Sequence, residues 1–560
     1  MILNKLRQRI NDLIIYTLAN QKLNKVNFFF NNKNKLRIKF LLWLAFFLTI
    51  SIINRDYIFQ SPIWDTAGGL FAPAEYLYRT NFDLYALLKE EGFSKGGPNV
   101  HVYNIMTFIT ACIMWLFDGD PELIYISLHM VQFAIAASIL YLTFFLILPI
   151  FGPLISVLMV ISIFVFPPFL VQTRYMYVEL AGALFLFYSY STWVRGNYKI
   201  ACVCAVGACA IKSFGLALVL AMIILIGLDK GRSLKLRAIL VSAMLMSGLG
   251  IELLRWSQGT NMINKMTNDY SSYFFNSFLP RLQTTPDLFI FLTFILYSGV
   301  FCVLTGKLSW KSDFLNTIQP IDIHNQNKRM IIGGFLIVGS FLGFIITVPL
   351  AGVVIYPLTR YYMWIWPLVI PTLFCIVFIF NQKIVNPKNI LKKHSLTFIS
   401  LILICFIFYF LANYNGKYYP EYQKGTLSFS SVERSTEYES FNKMQRELLY
   451  SASEIDQIPV YLNLFDYYYT SSVLMGYVDN KKENFKNIIT SFDNPSDINL
   501  YPDKFILVYS NVSHGGSSMR DLRSSAIKSS QYNIETIYQA NVDGYKGFID
   551  KIVRINKWKH

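Results

Sequence analysis

Of the 560 residues, 54% are hydrophobic and only 15% are charged, against roughly 25% charged in a soluble globular protein. That deficit excludes an all-soluble fold and makes lipid the solvent for much of the chain. The formal net charge of +16 does not mark a nucleic-acid binder, because Lys and Arg sit in short clusters between apolar runs, the pattern that keeps basic loops on the cytoplasmic side of a membrane.

Residues 1–37 form a basic, mildly amphipathic segment expected to lie on the inner membrane surface. The apolar run that follows carries no small-residue cleavage site and reads as a retained anchor. A crossing needs roughly 20 apolar residues. Runs that meet this are expected at 38–53, 122–147, 150–167, 176–194, 238–254, 288–305, 330–349, 361–380 and 395–412. The stretch 200–228 is long and is interrupted by Lys212, and 101–117 is apolar between His101 and the turn "DGDPE".

Basic loops occur at 1–39, 195–199, 229–237, 306–329 and 381–394. Placing all of them inside makes 54–121 an external loop. It also makes 200–228 two short helices that go out and back and meet near Lys212. About eleven crossings result. In a second arrangement, 101–117 crosses and 200–228 is a single helix, which flips only 118–199. The first arrangement is preferred because it keeps Arg195 and Lys199 inside, and in it 101–117 is interfacial or re-entrant. The seven cysteines (Cys112, Cys202, Cys204, Cys209, Cys302, Cys375 and Cys405) lie in apolar stretches, with neither zinc spacing nor a disulfide framework.

From 413 to 560 charges and Asn, Ser and Asp return. "IPVYLNLF" and "KFILVYS" read as short buried strands, "YKGFIDKIVRIN" as a closing strand pair, and "STEYESFNKMQRELLYSASEI" has helical spacing. The fold class expected is therefore a polytopic α-helical membrane protein over 38–412 with a C-terminal soluble α/β domain outside the cytoplasm.

Ionisable residues at external span ends are where a membrane enzyme can meet a polar substrate. Asp65 follows the first span and is followed by two glycines. Arg174 and Glu179 stand at the mouth of a span, Lys212 at the outer apex of the two short helices, and Arg360 opens "RYYMWIWPLVIP". Each has a plainer reading taken alone: snorkelling for the cations, a turn or N-cap for Asp65, an ion pair with Arg174 for Glu179. Together, two acids and three cations on one face would hold an anionic phosphate and activate a hydroxyl or amine.

In order along the chain, "PIWDTAGGL", "GGPNVHVYNIMTFITACIMWLFDGD", "TRYMYVEL" and "ACAIKSFGLAL" followed by "TRYYMWIWPLVIP" resemble segments of the GT-C superfamily of membrane glycosyltransferases. That superfamily includes the protein O-mannosyltransferases and the bacterial aminoarabinose transferases. The resemblance covers about 1–412 and not the tail. It implies transfer of a sugar, with inversion, from a polyprenyl-phosphate donor to a lipid, glycan or protein acceptor on the external face. Under it Asp65 is the catalytic base or orients the acceptor. Glu179 is the second acidic position, where the family more often has Asp. Lys212, Arg360 and Arg174 bind the donor phosphate, and His101, Glu75 and Tyr361 are candidate substrate contacts. The cofactor left open is a divalent metal (Mg or Mn), with Asp65 as its ligand if any. A bacterial cell membrane is the expected location. A lipid-linked glycan flippase or transporter would show internal repeats or Gly/Pro-broken helices in corresponding halves, and the sequence shows neither; a glycan polymerase or ligase would centre on a larger late external loop than 256–287. A non-catalytic scaffold would not need Asp65.

Overall fold

The computed structural model describes residues 32–58, 70–83, 104–151, 153–164, 178–229, 233–257, 270–280, 323–350, 363–369, 501–510, 531–542 and 545–555, with shorter pieces between 169 and 176, at 371–372 and between 444 and 489. Its long helices are α1 (Asn32–Ile53), α2 (Ala72–Arg79), α3 (Ile105–Leu116), α4 (Pro121–Phe151), α5 (Pro153–Phe164), α6 (Val178–Val194), α7 (Tyr198–Ile211), α8 (Gly215–Leu228), α9 (Leu234–Ser257) and α10 (Ile323–Leu350). An apolar chain in lipid has no water to satisfy its backbone, so each segment closes its own hydrogen bonds as a helix. Among the described residues three helices are long and apolar enough to cross a membrane: Leu123–Pro149 of α4, Leu234–Leu253 of α9 and Arg329–Pro349 of α10. The expected spans at 288–305 and 395–412, and most of 361–380, lie outside the described residues.

Local chemistry sets the helix ends. Asp118 and Gly119 take positive φ (48° and 77°) in the "DGDPE" turn. Asp120 then caps α4 by accepting from the Leu123 amide at 3.1 Å, with Pro121 in the first turn where no donor is needed. The Asn104 side chain caps α3 by accepting from the Met106 amide at 2.8 Å. With 12 residues, α3 is about 18 Å long, short of a roughly 30 Å hydrocarbon core. That length suits the interfacial or re-entrant placement of 101–117.

The region 200–228 is two helices of 14 residues each, broken at Lys212. Each is about 21 Å long. α6 packs along α7, α7 along α8, α9 against both α7 and α8, and α10 against α6 and α8. At one end of this group Asp229 accepts from the Tyr198 hydroxyl and lies 3.8 Å from Arg329. The Arg329 guanidinium stands 5.8 Å from the Trp193 ring and 5.9 Å from the Tyr198 ring. Arg195, Lys199, Lys235 and Arg237 cluster in sequence around the helix ends here, the end that the charge pattern marks as cytoplasmic. Glu179, Lys212 and Glu252 stand at the opposite end.

Two glycines allow the close approaches that this bundle needs. A Cβ on Gly182 would lie 2.2 Å from the Trp364 indole, which packs against α6 at this point. A Cβ on Gly215 would lie 2.2 Å from the Ala208 carbonyl carbon, so only glycine lets α8 start this close to the end of α7.

Toward the C-terminus a five-stranded mixed sheet has the order β2-β1-β3-β5-β4, with β1 Val460–Asn463, β2 Ile488–Ile489, β3 Lys504–Ser510, β4 Tyr532–Val542 and β5 Tyr545–Arg554. β1 runs parallel to β2 and β3, while β5 pairs antiparallel with β3 and β4. Alternation along β3 sends Ile506 and Val508 to the face where Leu448 sits against Gly547. Phe505, Leu507 and Tyr509 go to the other face, with Tyr461, Tyr501 and Ile552. The two strands predicted from "IPVYLNLF" and "KFILVYS" are β1 and β3. "YKGFIDKIVRIN" is corrected from a strand pair to the single strand β5, whose hairpin partner is β4. β4 is an edge strand with mostly exposed positions and a register shift between Thr536 and Tyr538, so it shows no clear apolar alternation in sequence.

Gly215→Ala should lower the apparent melting temperature of the detergent-purified protein by several degrees, since overpacking against backbone typically costs about 1–3 kcal/mol. Gly227→Ala, with nothing within 4 Å of the added methyl, should leave it unchanged. Equal melting of both variants and wild type would show that the α7–α8 approach is not tight.

Candidate functional site

α7 ends where Lys212 turns extended (φ −160°, ψ 154°) while its amide still donates to the Ala208 carbonyl. The Gly215 amide then donates back to the Lys212 carbonyl at 2.8 Å, closing the turn into α8. The extended backbone at Lys212 sends consecutive side chains in different directions. Lys212 Nζ donates to Glu179 Oε1 at 2.7 Å, and both side chains are buried. Ser213 Oγ donates to Glu252 Oε2 at 2.9 Å, and Glu252 is also buried. The hairpin apex is thus flanked by two carboxylates, one from α6 and one from α9.

The local sequence favours this arrangement. Glu179 lies in the first turn of α6, where the helix dipole stabilises an anion, and Lys212 follows the last turn of α7, where it stabilises a cation. Phe214 shields the ammonium, its ring centroid 5.7 Å from Nζ, and packs in turn on Phe341, Phe344 and Trp364.

Arg174 is held elsewhere at this end. Its Nε donates to Asn54 Oδ1 at 3.0 Å, its Nη1 to the Tyr57 hydroxyl at 3.3 Å, and its guanidinium carbon stands 4.4 Å from the Tyr57 ring centroid. Asn54 and Tyr57 immediately follow α1 and precede Asp65 in the sequence. From α4, His129 Nε2 lies 2.9 Å from the Arg174 carbonyl oxygen, and the Gln132 amide donates to the Gln172 carbonyl at 2.8 Å. Buried polar groups of α4 therefore anchor the segment that presents Arg174. Glu75, on α2, is also buried.

Of the residues picked from sequence, the structure brings Glu179 and Lys212 together. Glu179 meets Lys212, whereas spacing alone suggested Arg174 as its partner. Asp65, His101, Arg360 and Tyr361 lie outside the described residues. Sequence reasoning missed Ser213, Glu252, Asn54 and His129. For Glu252 a signal was present: a carboxylate inside the apolar run "SGLGIELLRW" is costly in lipid and asks for a partner. Ser213 and Asn54 carry no such signal. Among the described residues no group of three or more His, Cys, Asp or Glu side chains is arranged to hold a metal ion.

No protein-family model matches the chain, and no curated protein sequence matches it. Two solved structures are similar to it: crystal structures of ArnT from Cupriavidus metallidurans bound to undecaprenyl phosphate and in the apo state. The first has 9% sequence identity and a TM-score of 0.46, with 91% of this chain and 97% of that chain covered. The second has 10% identity and a TM-score of 0.46, with 90% and 97% covered. No residue role is carried over from either at that distance. The helices and sheet described above are those of a polytopic helical membrane protein with a mixed α/β region toward its C-terminus.

Removing one partner of a buried ion pair strands the other charge and typically costs about 3–5 kcal/mol, whereas replacing both is far milder. Glu179→Gln and Lys212→Met should each lower the apparent melting temperature clearly, and the double variant should recover most of the loss. Additive losses in the double variant would show that the two side chains do not depend on each other.

Proposed function

We propose that the protein is a GT-C-type glycosyltransferase. It transfers a sugar, with inversion, from a polyprenyl-phosphate donor to a lipid, glycan or protein acceptor on the external face of the membrane. The observation that carries this reading is the buried Lys212–Glu179 pair at the apex of two short helices, at the end of the bundle opposite the basic loops. A charge at that depth is costly, so it is kept where it serves a binding site or a pathway. The order of the sequence motifs, from "PIWDTAGGL" to "TRYYMWIWPLVIP", supports the same class.

The chemistry asks little of the protein beyond placing charge. The acceptor oxygen attacks the anomeric carbon from the face opposite the phosphate, the bond from carbon to phosphate oxygen breaks, and the polyprenyl phosphate departs with the electron pair. Asp65 takes the acceptor's proton. Lys212 and Arg360 neutralise the phosphate, the first as a point charge whose ammonium rotates between partners, the second by paired hydrogen bonds. Glu179 is the second acid, and it holds Lys212 in place before the donor arrives. Arg174, held by Asn54 and Tyr57 just after α1, is a further cation for the donor phosphate. No step in this scheme runs through a metal.

A lipid-linked glycan flippase draws on the same broken hairpin, because discontinuous helices also line transport sites. One assay separates the two. Full-length wild type and Asp65→Asn, purified in detergent, are given radiolabelled polyprenyl-phosphate sugars with membrane extract as acceptor. Wild type should release sugar to acceptor and the variant should be slower by about 100-fold or more. Equal rates would remove Asp65 from the mechanism. Movement of a lipid-linked glycan across proteoliposomes, with no sugar released from any donor, would favour the flippase.

A further inference from the structure

Glu252 has no part in the scheme above, yet it is a buried carboxylate on a helix apolar enough to cross the membrane. Its Oε2 accepts from Ser213 Oγ at 2.9 Å. Ser213 is the next residue after Lys212, in a turn so tight that Gly215 leaves no room for a side chain against Ala208. The apex therefore has little latitude of its own. Two polar links flank it, Lys212 to Glu179 on α6 and Ser213 to Glu252 on α9. The second link does not involve the ammonium. It can hold the turn in place while Lys212 exchanges a carboxylate for a phosphate.

We propose that Glu252, acting through the Ser213 hydroxyl, is a positioning residue for Lys212 and sets the affinity of the outward site for a lipid-linked phosphate. This rests on the reading of Lys212 as a donor-phosphate ligand. A carboxylate oxygen accepts readily from a hydroxyl donor, and at 2.9 Å the contact is direct, so the link is well suited to this task. It also couples α9, which contributes no other residue to the scheme, to the phosphate site.

The test uses the full-length protein in lipid nanodiscs, with undecaprenyl phosphate as the probe and undecaprenol as its uncharged control. Ser213→Ala and Glu252→Ala should each weaken undecaprenyl phosphate binding by about tenfold, the scale of one lost hydrogen bond to a charged group. Undecaprenol binding should not change. Ser213→Thr, which keeps the hydroxyl, should restore wild-type affinity, a rescue that general loosening of the fold would not produce. Ser213→Ala suffices if Glu252→Ala does not fold. Unchanged phosphate affinity in Ser213→Ala, while Lys212→Ala loses binding, would overturn this proposal and leave the function intact. So would parallel loss of undecaprenol and undecaprenyl phosphate. Wild-type phosphate affinity in Lys212→Ala would overturn the phosphate reading of Lys212 itself.

Discussion

A charged side chain among packed apolar helices costs several kcal/mol unless a partner of opposite sign lies within hydrogen-bond reach. Much of the polar architecture here answers that constraint. Lys212 lies against Glu179, Arg329 against Asp229, and the Glu252 carboxylate accepts from Ser213. These contacts sit at helix ends and tie neighbouring helices to one another: α6 to the α7–α8 turn, that turn to α9, and the end of α8 to the start of α10. The helices also pack through close glycine and aromatic contacts. The polar pairs add to the register, and they do so at both ends of the bundle.

The two ends differ in what they enclose. At the end marked cytoplasmic by its basic loops, Arg329 stands beside the rings of Trp193 and Tyr198 and near the Asp229 carboxylate. At the other end the hairpin of α7 and α8 is only about 21 Å tall, so Lys212 stops short of a roughly 30 Å core. A cation held below the outer surface by a rotatable contact is suited to meeting a phosphate that stays at the headgroup level of a membrane lipid. The asymmetry follows from helix length and from which residues end each helix.

Much of this was legible in the sequence. Keeping the basic loops on one side of the membrane required 200–228 to be two short helices that meet near Lys212, and the break falls there. The runs at 122–147, 238–254 and 330–349 mark helices to within several residues, since apolar length alone determines them. The pairing of Glu179 with Lys212 was not legible. Arg174 lies closer in sequence, but Asn54 and Tyr57 at the exit of α1 engage it, and such long-range contacts leave no local pattern. Ser213 was invisible for the same reason. β4 was missed because an edge strand with exposed side chains lacks the alternation that reveals a buried one.

The central claim is that the buried Lys212 ammonium is the ligand for a lipid-linked phosphate. The most direct measurement is an experimental structure of the full-length protein in nanodiscs with undecaprenyl phosphate bound. The account predicts phosphate oxygens within hydrogen-bond distance of Lys212 Nζ, with the lipid tail leaving between helices. A phosphate bound elsewhere, with the Lys212–Glu179 contact unchanged and closed to the ligand, would contradict it.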